Sequence, residues 1–177
     1  MIKYKSKNKK SIHKYYITAV KKANNRCKDC NKLISYRNHI RCNPCNRLFF
    51  IRIAYQRAKR FLYKNIAFIL WFTGFWEDEG SLKLYKRKRN GAIYEGYKIS
   101  VYQKEVACLY KIKKIFKFGN IYGLGKSNVC SVWSTDNIGE IIALLEFMTP
   151  LIKSPRRLNQ IKEFLKGSRI KYYKNKL

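Results

Sequence analysis

Ile66-Ala67-Phe68-Ile69-Leu70-Trp71-Phe72-Thr73-Gly74-Phe75-Trp76-Glu77-Asp78-Glu79-Gly80 decides how the rest of the chain is read. Eleven uncharged, mostly apolar residues run straight into three adjacent carboxylates, in a 177-residue chain with 40 basic residues and only 10 acidic ones. The run suits a buried helix and is too short for a bilayer span, which takes about 20 residues. Acids at the end of such a helix meet the negative pole of its dipole, an arrangement that calls for a compensating cation. Acids at a helix end can also simply face solvent. In so basic a chain, however, a carboxylate knot reads better as a divalent-metal site facing phosphate.

The formal charge of +30 makes nucleic acid the leading partner, because Lys and Arg neutralise phosphates and release condensed counterions. An anionic membrane surface is the rival, but no stretch is apolar enough to enter one. The first ten residues are basic with no apolar segment after them, so no secretory signal is expected. With 46% hydrophobic and 15% aromatic residues the chain can build a core, which sets it apart from a disordered polycation. Its richness in Lys, Asn, Ile and Tyr suggests an A+T-rich genome. The expected compartment is a mitochondrion or plastid, with a phage or bacterial cytoplasm as the alternative.

Outward from the quoted stretch, the pattern is one of mixed elements. Leu48 to Lys64 has helical spacing interleaved with Arg52, Arg57, Lys59 and Arg60 and reads as a basic linker helix. Ser81 to Arg89 alternates, Gly91 interrupts, and Tyr97 to Gln103 alternates again, a hairpin with a longer loop. Val106 to Phe116 is helical and stops at Gly119. A second hairpin is expected from Ile121–Gly125 and Val129–Ser134. Asp136 is the expected N-cap of a helix that stops before Pro150. A last helix starts near Pro155 and uses Leu158, Ile161 and Leu165. The expected division is a basic arm with a cysteine module (1–46), the linker helix (47–63), an α-β-β-α-β-β-α domain (64–166) and a basic tail (167–177).

Cys27, Cys30, Cys42 and Cys45 form two CxxC pairs separated by eleven residues. That spacing closes a tetrahedron of thiolates around Zn²⁺, and a four-cysteine site leaves no open position, so the ion is structural. Disulfides are the weaker reading outside the secretory path. The strand alternation places Ser81, Lys83, Tyr85, Arg87 and Arg89 on one face, opposite Leu82 and Leu84. Lys98, Ser100 and Tyr102 extend that face from the second strand, and Lys126 extends it from the third. A basic β-face of this kind can read base edges in a major groove, although it can also be merely solvated.

Phe72 to Ser81 resembles the signature of the LAGLIDADG homing endonucleases, and the element order over residues 64–166 is similar to that family's core. The resemblance implies an α+β fold with a saddle-shaped antiparallel sheet, here with a small N-terminal zinc module. One signature per chain implies a homodimer joined through the signature helices, with Thr73 and Gly74 allowing close approach. Glu79 is similar to the family's catalytic, Mg²⁺-binding carboxylate, the Asp78 carbonyl completes the shell, and Gln103 resembles the polar residue that orders water. Glu77 falls where the family packs and caps the helix. Two usually basic positions are occupied by Ala107 and Pro155. The implied activity is site-specific cleavage of double-stranded DNA by an intron-encoded enzyme. Two other classes remain open: an RNA-binding maturase that takes its own intron RNA as partner, and a non-catalytic, ribosome-associated nucleic-acid binder.

Overall fold

A computed structural model describes residues 26–32, 43–89, 91–123 and 130–166. Cys42 and Lys126, the arm ahead of Arg26 and the tail after Lys166 lie outside the described residues, as do the side chains of Arg87 and Arg89. The chain forms two compact units, Met1–Phe49 and Phe50–Leu177. In order, the elements are α1 (Asn43–Lys64), α2 (Ile66–Glu79), β1 (Gly80–Arg89), β2 (Ala92–Gln103), α3 (Val106–Phe116), β3 (Asn120–Gly123), β4 (Ser131–Thr135), α4 (Ile138–Met148), a single 3₁₀ turn (Thr149–Leu151) and α5 (Pro155–Lys166).

The four strands form one antiparallel sheet in the order β1-β2-β4-β3. The pattern of alternation dictates its two faces. Leu82, Tyr97, Ile99, Val101 and Trp133 share one face and are buried. Against them sits an aromatic cluster in which Phe72 meets Phe116 at 4.8 Å and Trp133 at 5.8 Å between ring centres. Edge-to-face pairs of this kind add to the area that each ring buries. The indole of Trp133 also donates to the carbonyl of Phe118 at 3.3 Å. A Cβ on Gly119 would lie 2.6 Å from that indole, and Gly119 has φ +73°, so only glycine fits there.

The first hairpin is tighter than its sequence pattern predicts. Arg89 pairs with Ala92, and Gly91 between them has φ +75°, a conformation that glycine adopts without strain. Three further expectations shift. Helix α3 ends at Phe116, with Lys117 in the left-handed conformation ahead of Gly119. The N-cap of α4 is Asn137, whose Oδ1 accepts from the Gly139 amide at 3.0 Å, and not Asp136. The buried stripe of α5 is Arg157, Ile161 and Phe164, whereas Leu158 and Leu165 are only half-buried.

Helix α4 is apolar almost all round, with eight of its eleven residues buried, which requires cover on both sides. The sheet domain supplies one side and α1 the other. A Cβ on Gly139 would lie 2.3 Å from the Ile51 carbonyl oxygen and 2.7 Å from the Tyr55 nitrogen, so the two backbones cross in contact at this glycine. Beside the crossing, the Tyr55 hydroxyl donates to Glu146 at 2.6 Å and Lys59 approaches the same carboxylate at 3.4 Å. The segment read as a basic linker helix contributes Ile51, Tyr55, Ala58 and Leu62 to the core of the second unit.

Candidate active site and nucleic-acid interface

Helix α2 runs into β1 without a loop. Gly80 is both the helix C-cap and the first residue of the strand, in extended conformation, and its amide donates to the Trp76 carbonyl. A Cβ at Gly80 would sit 2.2 Å from the Trp76 ring and 2.3 Å from the Trp76 carbonyl oxygen, so the turn out of the helix closes only over glycine.

The three acids at this junction have different environments. Oε1 of Glu77 accepts from the backbone amides of Lys153 at 3.0 Å and Ser154 at 2.7 Å, tying the start of α5 to the end of α2. This is the packing and capping role implied for Glu77. Asp78 is exposed, and its carbonyl receives a long contact, 3.4 Å, from Nη2 of Arg157. Glu79 is exposed, and among the described residues its carboxylate has no hydrogen-bond or ion-pair partner. A free carboxylate next to a backbone carbonyl offers only oxygen donors, the set that a hard divalent cation such as Mg²⁺ takes while keeping several waters. Gln103, half-buried, closes β2, and its Oε1 accepts from the Lys104 amide at 2.8 Å. Gly80 pairs with Val101, so the register brings the ends of α2 and β2 side by side.

The sequence reading missed Arg157. Its guanidinium is buried, lies 5.0 Å from the centre of the Trp76 ring and donates through Nε to the Glu77 carbonyl at 2.7 Å. Burial, and then neighbouring Arg156, push the guanidinium below its ordinary value, while Asp78 and Glu77 draw it back up. It supplies the cation that acids at a helix C-terminus call for. The available signal was periodicity: Arg157 stands four residues before Ile161 and seven before Phe164, on the apolar stripe of α5.

On the open face of the sheet, Ser81 pairs with Ser100, Lys83 with Lys98 and Tyr85 with Gly96, so each pair projects to the same side. Lys83 is exposed, Lys98 is half-buried with its ammonium 5.8 Å from the centre of the Tyr122 ring, and Ser81 and Tyr102 are partly accessible. The Tyr85 ring lies over Gly96, where a Cβ would be 2.2 Å from it. Ser100 does not qualify as a contact residue. It is on an inner strand between Ser81 and Ser134, in a row with the longer Lys98 and Tyr102, and is 1% exposed.

Thr73 also falls away from the surface assigned to it. It is buried and donates to the Ile69 carbonyl at 2.7 Å, as a β-branched hydroxyl in a helix commonly does. Gly74 is exposed, with open space where a Cβ would be. Around it Ile66, Leu70 and Trp71 are 52%, 55% and 44% exposed, an apolar stripe on the outer face of α2.

Within the first unit, the ligand atoms of Cys27, Cys30 and Cys45 lie within 4.8 Å of one another. Four thiolates at about 2.3 Å from Zn²⁺ require sulfur separations of just under 4 Å, so the cluster fits such an ion. Asn31, at φ +57°, turns the chain so that its amide donates to the Cys27 carbonyl at 2.8 Å. Cys45 stands in the first turn of α1, where the helix dipole favours a thiolate.

Residues 72–156 match the family described as LAGLIDADG endonuclease. That match covers a little under half of the chain, and these residues are similar to that family. Solved LAGLIDADG structures share the chain's fold. The homing endonuclease I-CvuI, in complex with the I-CreI target, has a TM-score of 0.53 and 19% identity, with 64% of this chain and 71% of that chain covered. The group I intron-encoded homing endonuclease I-CeuI, complexed with DNA, has a TM-score of 0.52 and 21% identity, covering 73% of each. The LAGLIDADG meganuclease I-AabMI, bound to uncleaved DNA, has a TM-score of 0.51 and 20% identity, with 61% of this chain and 37% of that chain covered. The chain spans 52% of an archaeal intron-encoded homing endonuclease of the same kind. No curated protein matches the chain by sequence. Ala107 and Pro155 are both exposed, and Lys153, whose amide donates to Glu77, stands with Arg157 beside the acidic end of α2.

Proposed function

We propose that the chain is a site-specific double-strand DNA endonuclease, intron-encoded in an A+T-rich genome such as an organelle's, that acts as a homodimer with Mg²⁺. The observation that carries this reading is Glu79, a carboxylate without a partner among the described residues, held at a helix-to-strand junction in a chain of charge +30. The apolar stripe of Ile66, Leu70 and Trp71 around Gly74 supports pairing of two α2 helices. Such a pair would bring two Glu79 side chains to a duplex, one for each strand. Lys83 and Lys98 hold the duplex on the open sheet face, and Gln103 orders water beside Glu79. When bound there, Mg²⁺ stabilises developing negative charge and lowers the pKa of the attacking water. Cys27, Cys30 and Cys45, with Cys42 as the fourth ligand, would hold a structural Zn²⁺.

Incubating the protein with DNA from its insertion locus and Mg²⁺ tests the reading: double-strand cuts are expected, and they disappear in Glu79→Gln. A second reading, as a maturase that binds its intron RNA, is favoured by α1. Its exposed Arg57, Arg60 and Lys64 lie beyond α4 from the sheet, and the helix contains no acid. RNA binding without cutting in any divalent metal would favour it, or the non-catalytic binder that Ala107 and Pro155 leave open.

A further inference from the structure

The geometry points to Arg157 as a positioning residue that fixes the last turn of α2 and thereby presents Glu79 and the Asp78 carbonyl to the cation. This rests on the reading of Glu79 as a cation ligand. Among the described residues Arg157 is the only charged residue that is buried, at 6% exposure. Burying a guanidinium is costly, and an apolar side chain of similar volume commonly serves stability as well or better. Packing alone therefore does not account for a charge at this place.

The donors of Arg157 show what the charge does. Nε reaches the Glu77 carbonyl at 2.7 Å and Nη2 approaches the Asp78 carbonyl at 3.4 Å, while Nη1 is anchored on Gln160 at 2.9 Å. The planar fork is braced against the Trp76 ring, 5.0 Å from its centre. Among the described residues no carboxylate accepts a hydrogen bond from it. The Glu77 side chain turns the other way, onto the Lys153 and Ser154 amides, so the two helix ends are joined by reciprocal bonds. Carbonyls at a helix C-terminus lack intrahelical partners, and here the two immediately before Glu79 are aimed by one rigid group. The Asp78 carbonyl keeps a second lone pair for a metal.

Mn²⁺ titrated into the full chain, with free ion followed by electron paramagnetic resonance, tests this without cleavage. Loss of an outer partner of a metal ligand costs about 10–100-fold in affinity, so Arg157→Met is expected to weaken Mn²⁺ binding to that extent. Arg157→Lys, which can reach only one carbonyl at a time, is expected to fall between it and the wild type. It carries the test if the Met variant does not fold. Ile161→Ala removes packing from the same stripe of α5 and should leave Mn²⁺ affinity of the folded protein unchanged. Wild-type affinity in the Arg157 variants, or equal weakening in Ile161→Ala, overturns the assignment. Should Glu79→Gln itself leave Mn²⁺ binding unaltered, the nuclease reading falls and Arg157 with it. Should Glu79→Gln abolish binding while Arg157→Met does not, only the role of Arg157 falls.

Discussion

The protein offers cations two kinds of ground. At Cys27, Cys30 and Cys45 three soft sulfur ligands already sit within 4.8 Å of one another, on a turn and the first turn of a helix. At the far end of α2 a single hard carboxylate, Glu79, stands open to solvent. With Cys42 as the fourth ligand the first arrangement would surround an ion and leave nothing for a substrate; the second can hold an ion only by one side and must leave the rest to water or phosphate. Closure suits a structural role and openness a reactive one. The number of ligands and their exposure, more than total charge, separate the two.

The contrast is tested most severely by Glu79→Gln. Cleavage of the locus DNA should fall by at least about 10²–10³-fold, with zinc content unchanged; a variant that still cuts removes the open site from the chemistry. The converse substitution, Cys45→Ser, should lower bound zinc measured by native mass spectrometry and leave the Mg²⁺ dependence of any remaining cleavage where it was. Loss of zinc together with a shifted Mg²⁺ requirement would show that the two grounds are coupled. Lys83→Ala touches neither and is expected to weaken DNA binding across sequences, reducing the slope of log K against log salt by about 1.

The smallest effect concerns Glu140, a half-buried carboxylate at the start of α4. Burial raises the Glu140 carboxyl above its ordinary value, against the opposing hydrogen bond from Thr135 and the charge of Arg57. A raised carboxyl means that the folded chain binds the proton more tightly than the unfolded one. Between the ordinary and the raised value stability should therefore decline as pH rises. Glu140→Gln, which can still accept from Thr135, should flatten that decline in urea melts taken across the acidic range.

The parts that sequence made legible are those where one residue's chemistry or period decides the outcome. The apolar run before Glu77 marks α2, alternation from Ser81 marks β1, and the element order follows from such periods. What it hid depends on partners far along the chain. Arg52, Arg57, Lys59 and Arg60 make α1 read as an amphipathic, basic linker helix, and its seat is hidden because the glycine that receives its backbone is Gly139, more than eighty residues later. Ser100 and Thr73 have surface-compatible side chains, and only the neighbouring strand order and the handedness of the helix put them inside. Arg157 was obscured because a charged residue on an apolar stripe is ordinarily assigned to the outside.

The absence of any loop between Glu79 and Gly80 has a consequence for how such a chain can change. Side chains in β1 alternate sides with a period of two, counted from the helix end. One residue added at that seam would rotate Leu82 toward solvent and Lys83 into the hydrophobic layer, reversing the whole ribbon. The carboxylate at the helix end and the open face of the sheet are thus locked in phase. New specificities on this strand must come by exchange of side chains, because a change in length would scramble every contact downstream.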